Sequence, residues 1–457
     1  MRIAVVGLGK LGAPLAALLA SHGHDVVGAD ASPNVVAQLN AGRTPVDEPG
    51  LAPLVHEHRE RLTATTDTAA AVAEADMSFV VVPTPSAADG TFSNRFVVDA
   101  VTAIGRGLRG GSRYHVVVIT STVMPLSTER EIKPALEAAS GRRVGGDVGL
   151  CYNPEFIALG SVLYDMTHPD LVLIGESDTR AGRLLEDIHR TFIPANAEVR
   201  RMAWVNAEIA KIAVNTFVTT KISYANMLAE LCERLPGGDV DVVTMAIGVD
   251  KRIGHKYLRG AVGYGGPCFP RDNAALAAAA RHAGAHADIA AATDAINSRQ
   301  VERVATIVKA HATPGRERIR ILGLSYKPDT PVVEESQGVQ LANMLIEEGF
   351  AVTAFDPAAM DGANALLASP VGRAGSLAQC VEASEVLVLM VAWPAFGTLP
   401  ELLRNRPRPG LVLIDCWRQI DPATLQGLAA VVYPGTAGAI RPPSGRTARD
   451  GAGRQAG

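Results

Sequence analysis

The chain has 457 residues, 47% of them hydrophobic and 20% charged, with a net charge of −4 at neutral pH. That length supports two or three domains with real cores. The near-neutral balance argues against a general nucleic-acid or membrane-surface binder, and no apolar run approaches the roughly 20 residues of a membrane helix.

Met1-Arg2-Ile3-Ala4-Val5-Val6 runs straight into a strand of the kind buried on both faces, leaving no room for a signal peptide. Gly7-Leu8-Gly9-Lys10-Leu11-Gly12 follows at once, then an Ala/Leu helix to about Ser21 and a second strand, Val26 to Ala29, ending at Asp30. A bare GxGxxG is weak evidence. One that follows a strand, opens a helix and is answered by an acid at the end of the next strand reads as a dinucleotide site. The pyrophosphate would sit on the helix N-terminus, and Asp30 would accept from the ribose hydroxyls. The same carboxylate would repel a 2′-phosphate, so NAD is expected rather than NADP. Further βα units follow at 76–82, 115–119, 150–152 and 171–175. Ligands lie at the carboxyl ends of such strands. The polar loops Thr84-Pro85-Ser86, Thr120-Ser121-Thr122 and Asn153-Pro154-Glu155 are therefore placed where cofactor and substrate should meet.

From about Trp204 the pattern becomes a long, glycine-free helix to Leu235, with Lys211 and Asn215 at i and i+4 on one face. On a buried helix a lysine is costly unless paired or functional, or it snorkels out at an interface edge. A long alanine-rich helix joining two α/β halves is also a natural dimerisation element. A helix at 239–248 leads through Asp250-Lys251-Arg252-Ile253-Gly254 to Gly263-Tyr264-Gly265-Gly266-Pro267-Cys268-Phe269-Pro270-Arg271-Asp272, and one more helix is expected to fill 272–298. Cys268, on a glycine-rich loop beside an Arg and an Asp, is either a nucleophile or a small packed hydrophobe; the loop alone leaves both open. The five cysteines are widely spaced and lack any CxxC, which fits a reducing cytoplasm and neither a disulfide framework nor a metal site. A second α/β unit starts near Arg318, with strands at 319–324, 351–356, 386–391 and 411–415 and a helix at 337–348. It lacks the glycine fingerprint and need not bind NAD. Residues from 441 are Gly/Pro/Arg-rich and expected to be disordered. The expected fold is α/β: a Rossmann domain at 1–200, a central helical dimerisation domain at 201–305 and a Rossmann-like domain at 306–440.

The ordered set GLGKLG, DEPGL (47–51), VPTPS (82–86), STV (121–123), NPEF (153–156), AEIAKIAVNTFVTTKIS (207–223), DKRIG (250–254), GYGGPCFPRD and GLSYKPDT (323–330) resembles the UDP-glucose/GDP-mannose dehydrogenase family, from residue 1 to about 435. The resemblance implies an enzyme that oxidises the C6 alcohol of a nucleotide sugar twice with NAD, without metal, releasing a uronic acid; a homodimer or higher homo-oligomer in the cytoplasm is the expected form. It makes Cys268 the nucleophile that captures the aldehyde and later leaves from a thioester. Lys211 and Asn215 would stabilise developing negative oxygen, Asp272 would orient the lysine and a water, and Glu155, with Thr122, would be the base for hydrolysis. It also implies cofactor contacts from residues 7–12, Asp30, Pro83, Thr84, Pro85, Ser121, Thr122 and Arg271. The sugar nucleotide would meet Glu155, Phe156, Ile157, Ala158, Leu159, Lys211, Asn215, Arg259, Gly263, Tyr264, Gly265 and Lys327. Arg252 would reach it across the dimer interface.

Three departures stand out. Leu159 occupies the position of a second acid in NPEF-x-x-E-G, Glu334 that of the arginine in D-T-R-E-S, and Val35 that of a basic residue. Losing the acid and the arginine together would avoid an unpaired charge. If Glu334→Arg alone tightened NAD binding, with no help from Leu159→Glu, that coupling would be wrong. A UDP-hexose such as UDP-glucose is the expected substrate, with UDP-N-acetylhexosamines or GDP-mannose as alternatives. A non-catalytic sugar-nucleotide binder and a two-electron dehydrogenase of the 6-phosphogluconate type are the readings from other classes.

Overall fold

A computed structural model of the chain describes residues 1–157, 160–382, 384–405, 407 and 410–440. Ala158, Leu159 and the tail from 441, each the subject of an expectation above, lie outside the described residues. The chain divides into two compact units, Met1–Val214 with Ala274–His286, and Asn215–Asn273 with Ala287 onward.

The first unit is built on eight strands: β1 (Arg2–Val6), β2 (Asp25–Ala29), β3 (Leu62–Thr65), β4 (Met77–Val80), β5 (His115–Ile119), β6 (Val148–Tyr152), β7 (Val172–Glu176) and β8 (Val199–Met202). They lie in the order β3-β2-β1-β4-β5-β6-β7-β8. The first six are parallel, β7 runs antiparallel to β6, and β8 is parallel to β7. Alternate residues feed the two cores. Ile3, Val5, Phe79 and Val118 pack with Leu15 and Leu19 of helix Gly12–Ser21. Ala4, Val6, Val80 and Val117 pack with Val97, Val101 and Ile104 of helix Arg95–Leu108. Burial on both faces is what the continuous apolar runs demand. The chain order reverses between β1 and β4, which opens a crevice at their carboxyl ends.

The second unit contains a parallel six-stranded sheet: β9 (Arg318–Leu322), β10 (Ala351–Phe355), β11 (Gly372–Arg373), β12 (Val386–Leu389), β13 (Val412–Asp415) and β14 (Ala430–Val432), ordered β11-β10-β9-β12-β13-β14. Its order repeats that of the first six strands, and so does its first turn. Gly7 N donates to Ala29 O at 2.8 Å and Gly323 N to Phe355 O at 2.9 Å. Leu8 N donates to Asp30 at 2.8 Å and Leu324 N to Asp356 at 2.7 Å. Asp356, however, is buried and also accepts from Ser325 N and Oγ, Trp393 Nε1, Ala358 N and Ala359 N. Its lone pairs are spent on protein, in keeping with the missing glycine fingerprint.

The long helix runs Trp204–Arg234, 31 residues, from the first unit into the second. The single helix expected at 272–298 is in fact two, Phe269–His282 and Asp288–Ser298, separated by a turn in which Gly284 has φ +70°. Glycine takes that left-handed conformation cheaply and ends a helix there. The short strands β3, β8, β11 and β14 and the reversal at β7 were not among the expected elements.

Candidate active site

The turn after β1 separates its glycines by purpose. Gly7 has φ +93°, and a Cβ there would lie 2.3 Å from Val81 O. A Cβ on Gly12 would lie 1.8 Å from Gly7 O. Both glycines are required by packing. A Cβ on Gly9 would meet nothing within 4 Å among the described residues, so the space in front of helix Gly12–Ser21 is open there. Leu8 is buried against Gly28, while Lys10 is exposed and Leu11 half-buried. Asp30 accepts from Leu8 N through one oxygen and from Ser32 N through the other, at 2.8 and 2.9 Å. A carboxylate has lone pairs to spare beyond those two bonds. An open glycine, a helix N-terminus and a partly engaged carboxylate fit the pyrophosphate and ribose of NAD.

The loops after β4 and β5 are tied together by hydroxyls. Ser121 Oγ accepts from Val82 N at 2.9 Å and donates to Val82 O at 2.7 Å, and Thr84 Oγ1 donates to Thr122 O at 2.7 Å. Pro83 and Pro85 are left exposed and Thr122 half-buried. The turn after β6 is anchored by Asn153, whose Nδ2 donates to Leu173 O at 2.9 Å while Oδ1 lies 2.8 Å from His189 Nε2. Burial, then the neighbouring Arg190 charge, holds the His189 ring to a pKa of about 4, so it is neutral. With the amide oxygen as acceptor, Nε2 must carry the proton.

Above that anchor stands Glu155. Burial pushes its carboxyl up to about 7, partly offset by the Lys211 charge. The residue as a whole keeps some accessible surface, but its carboxyl is withdrawn from water. Lys211 is buried; its Nζ donates to the Glu155 carbonyl at 2.6 Å and lies 4.7 Å from the Phe156 ring centre. It does not snorkel. Half-buried Ile157 follows Phe156, and the far end of this loop is held by Glu48, which accepts from Gly160 N at 3.2 Å and Val162 N at 2.8 Å. That contact gives the DEPGL motif a physical reason.

In the second unit Cys268 is exposed and immediately precedes helix Phe269–His282, its carbonyl accepting from Asp272 N at 2.9 Å. The other four cysteines are buried. Asp272 is buried and accepts from Asn215 Nδ2 at 2.6 Å, one helical turn beyond Lys211 on the long helix. The loop before the thiol is rigidly held. Asn297 brackets Tyr264 by accepting from its N–H at 2.8 Å and donating to its carbonyl at 3.0 Å. The Tyr264 hydroxyl donates to Asp294 and accepts from Asn273. The glycines here serve protein packing. A Cβ on Gly263 would strike Gln337 and Asn297, one on Gly265 the Glu335 carbonyl, and one on Gly266 the Tyr326 ring. Tyr326 is pushed up to about 12 by burial, then by negative charge at Cys268 and Glu334. Glu334 thus belongs to the surroundings of the cysteine loop, and its carbonyl accepts from Gly266 N at 2.9 Å. Arg259 donates to the Trp417 carbonyl, Lys327 lies 6.0 Å from the Tyr326 ring, and Arg271 is half-buried. Arg252 is exposed and paired with Asp250 of its own chain at 2.5–3.1 Å. Asn273, Asp294 and Asn297 were not singled out from sequence, and Glu48 was read only as part of a motif string; the partners of each are distant in sequence.

Three family models match in chain order: the UDP-glucose/GDP-mannose dehydrogenase NAD binding domain over residues 1–193, the central domain over 205–299 and the UDP binding domain over 320–422. The chain is 35% identical over 404 residues to a UDP-glucose 6-dehydrogenase of Haloferax volcanii, covering 88% of this chain and 93% of that protein. It is 33% identical over 432 residues to a GDP-mannose 6-dehydrogenase of Pseudomonas aeruginosa, covering 91% and 96%. A solved UDP-glucose dehydrogenase of Pyrobaculum islandicum superposes with a TM-score of 0.83 at 34% identity, over 96% of this chain and 98% of that one.

Proposed function

This chain belongs to the UDP-glucose/GDP-mannose dehydrogenase family, and from that premise we propose that it oxidises the C6 alcohol of a UDP-hexose such as UDP-glucose to the uronic acid. The observation that carries this reading is the contrast among the thiols: four cysteines are buried, and Cys268 is exposed at the head of a helix whose first turn holds Asp272 and, through it, Asn215. A helix N-terminus favours an anion, and a non-catalytic binder has no use for a thiol so placed.

Gly9, the helix N-terminus beside it and Asp30 would hold NAD, which would accept one hydride in each oxidation, two molecules in turn, as the C6 oxygen loses a proton. The chain's own residues do the rest. The first oxidation leaves an aldehyde at C6. The Cys268 sulfur bonds to that carbon as the carbonyl π pair moves onto oxygen, giving a thiohemiacetal once the oxygen takes up the thiol's proton. Lys211 and Asn215 donate to the oxygen where negative charge develops. The second oxidation leaves a thioester. Glu155, poised near 7, takes a proton from water as its oxygen adds to the acyl carbon. The C–S bond then breaks, and the proton passes to sulfur. Arg271 and the loop residues Pro83, Thr84, Pro85, Ser121 and Thr122 are assigned to the cofactor side, and Ile157, Arg259, Tyr264 and Lys327 to the sugar nucleotide.

UDP is favoured because the C-terminal match is to a UDP binding domain and two of the similar proteins are UDP-glucose dehydrogenases. The similarity to a GDP-mannose enzyme keeps GDP-mannose as the second reading. The residue divisions 1–200, 201–305 and 306–440 are proposed as the working domains, and a homodimer in the cytoplasm as the working form. No helix among the described residues is long and apolar enough to cross a membrane. The test is stoichiometry over a panel of nucleotide sugars. The expected result is two NADH per acid, lost on Cys268→Ser with sugar-nucleotide binding retained. One NADH with a released carbonyl product, or full turnover by the serine variant, would overturn it.

A further inference from the structure

Glu208 lies on the long helix three residues ahead of Lys211 and is fully buried. Its two carboxylate oxygens accept from Leu126 N at 2.6 Å and Thr128 N at 2.8 Å. Those donors belong to the segment that follows Thr122 and opens the π-helix Thr128–Ile132. Leu126 has φ +74°, one of five non-glycine residues in the left-handed region among the described residues. A branched side chain is strained there and persists only where its surroundings over-determine it. Ser127 follows in the right-handed helical region. A left-handed residue followed by a right-handed one turns nearby N–H groups into one concavity, the shape of a backbone anion cradle. Here the anion is a side chain from another element. The same segment is held from its other side: Asn94 Nδ2 donates to Ser127 Oγ at 2.8 Å and to Glu131 at 3.0 Å. Met124 packs against a small cluster of Phe92, Ile212 and Ala275, and Ile212 is Lys211's neighbour in sequence.

We propose that Glu208 is a positioning residue for the oxidation: by filling the Leu126–Thr128 cradle it locks the Thr122 loop to the turn of helix that carries Lys211. Six residues separate the end of β5 from Leu126. With so short a span, relaxation of Leu126 toward an ordinary conformation is transmitted to Thr122 and to its carbonyl's bond with Thr84. The strain at Leu126 is the energy that the carboxylate opposes. Substitution by the isosteric amide removes one acceptor and turns an N–H donor toward a backbone N–H.

The inference rests on the dehydrogenase reading above, so it is tested by two readouts. Glu208→Gln is expected to lower kcat at least about tenfold while shifting KM for the nucleotide sugar by less than about threefold, the pattern of misplaced catalytic groups rather than lost binding. Leu126→Gly, which relieves the left-handed strain, should leave kcat within about twofold alone and recover most of the loss in the double variant. Independently, hydrogen exchange in peptides covering 121–130 should quicken at least about tenfold in Glu208→Gln and return toward the parent rate in the double variant. Unchanged kcat, no rescue by Leu126→Gly, or unchanged exchange would each overturn the proposal. If the parent enzyme makes no NADH from any nucleotide sugar, the functional reading fails, and hydrogen exchange alone decides the clamp. If Glu208→Gln does not fold, Glu208→Asp, which keeps the charge but is too short to reach both donors, takes its place with the same expectations.

Discussion

At the scale of single residues, the site depends on polar groups held away from water. Glu155 shows the consequence most directly. A carboxyl whose pKa is raised to about 7 is largely protonated at pH 6 and ionised at pH 8. Hydrolysis of the thioester needs the ionised form, so its rate should fall about tenfold per pH unit below 7. Stability runs the other way. The folded state holds this proton more tightly than the unfolded chain, so the associated stability is full below the ordinary carboxyl range and lost as pH rises through 7. Glu155→Gln should therefore raise Tm relative to the parent at pH 8, leave it unchanged at pH 4, and accumulate an acylated Cys268 visible by intact mass. A pH-independent Tm difference, or hydrolysis unaffected by the amide, would contradict the role. The partners of such residues explain why part of the site escaped sequence reasoning. Cys268, Lys211 and Glu155 are unusual residues in recognisable strings. Asn297 lies outside those strings and Glu48 and Glu208 lie inside them with no visible task, because the work of all three is to accept from backbone N–H groups far along the chain.

At the scale of elements, the turn after β1 makes a claim that separates folding from binding. Gly12→Ala would place a methyl 1.8 Å from the Gly7 carbonyl, so the backbone must move. A loss of about 1–3 kcal/mol in stability is expected, read as a drop in Tm. Gly9→Ala meets no protein atom within 4 Å among the described residues, so Tm should stay at the parent value. NAD affinity should nevertheless fall at least about tenfold by calorimetry, because the methyl takes the space where the pyrophosphate approaches. Equal Tm losses in both variants would remove the distinction. The elements themselves were legible in proportion to burial. β1, β5, β12 and β13 are continuous apolar runs because both faces are covered, whereas β8 reads Val-Arg-Arg-Met and β11 has only two residues. Such edge strands are made by their neighbours, and β8 is pinned by Arg201 pairing with Glu176 of β7 at 2.8 Å. The antiparallel run of β7 against β6 leaves no trace in periodicity.

At the scale of the whole molecule, one face of the long helix calls for a partner. Phe217, Tyr224, Met227 and Leu231 are exposed along it at spacings of 7, 3 and 4, Leu235 is exposed just past its end, and Val242, Met245 and Val249 are exposed on and just past the next helix. A contiguous stripe of this kind is rare on a monomer. A second copy of the chain would bury it, and Arg252, exposed on the same unit, would then be available to a neighbouring protomer. Light scattering should give a dimer, and the double change Phe217→Arg and Leu231→Arg should give a folded monomer with impaired turnover. A parent monomer, or an unaltered dimer in the variant, would exclude this face.

The two sheets carry one further consequence. Their strand order and the bonds of their first turns match, but the carboxylates that close those turns are used differently. Asp30 keeps lone pairs to offer; Asp356 has been walled in by an indole, a serine and four backbone amides. An engineer who restored glycines to the turn after β9 would therefore gain no second dinucleotide site. Trp393 and Ser325 would have to be released first, and with them the anchor that holds the crossover from β9 to β10 in place.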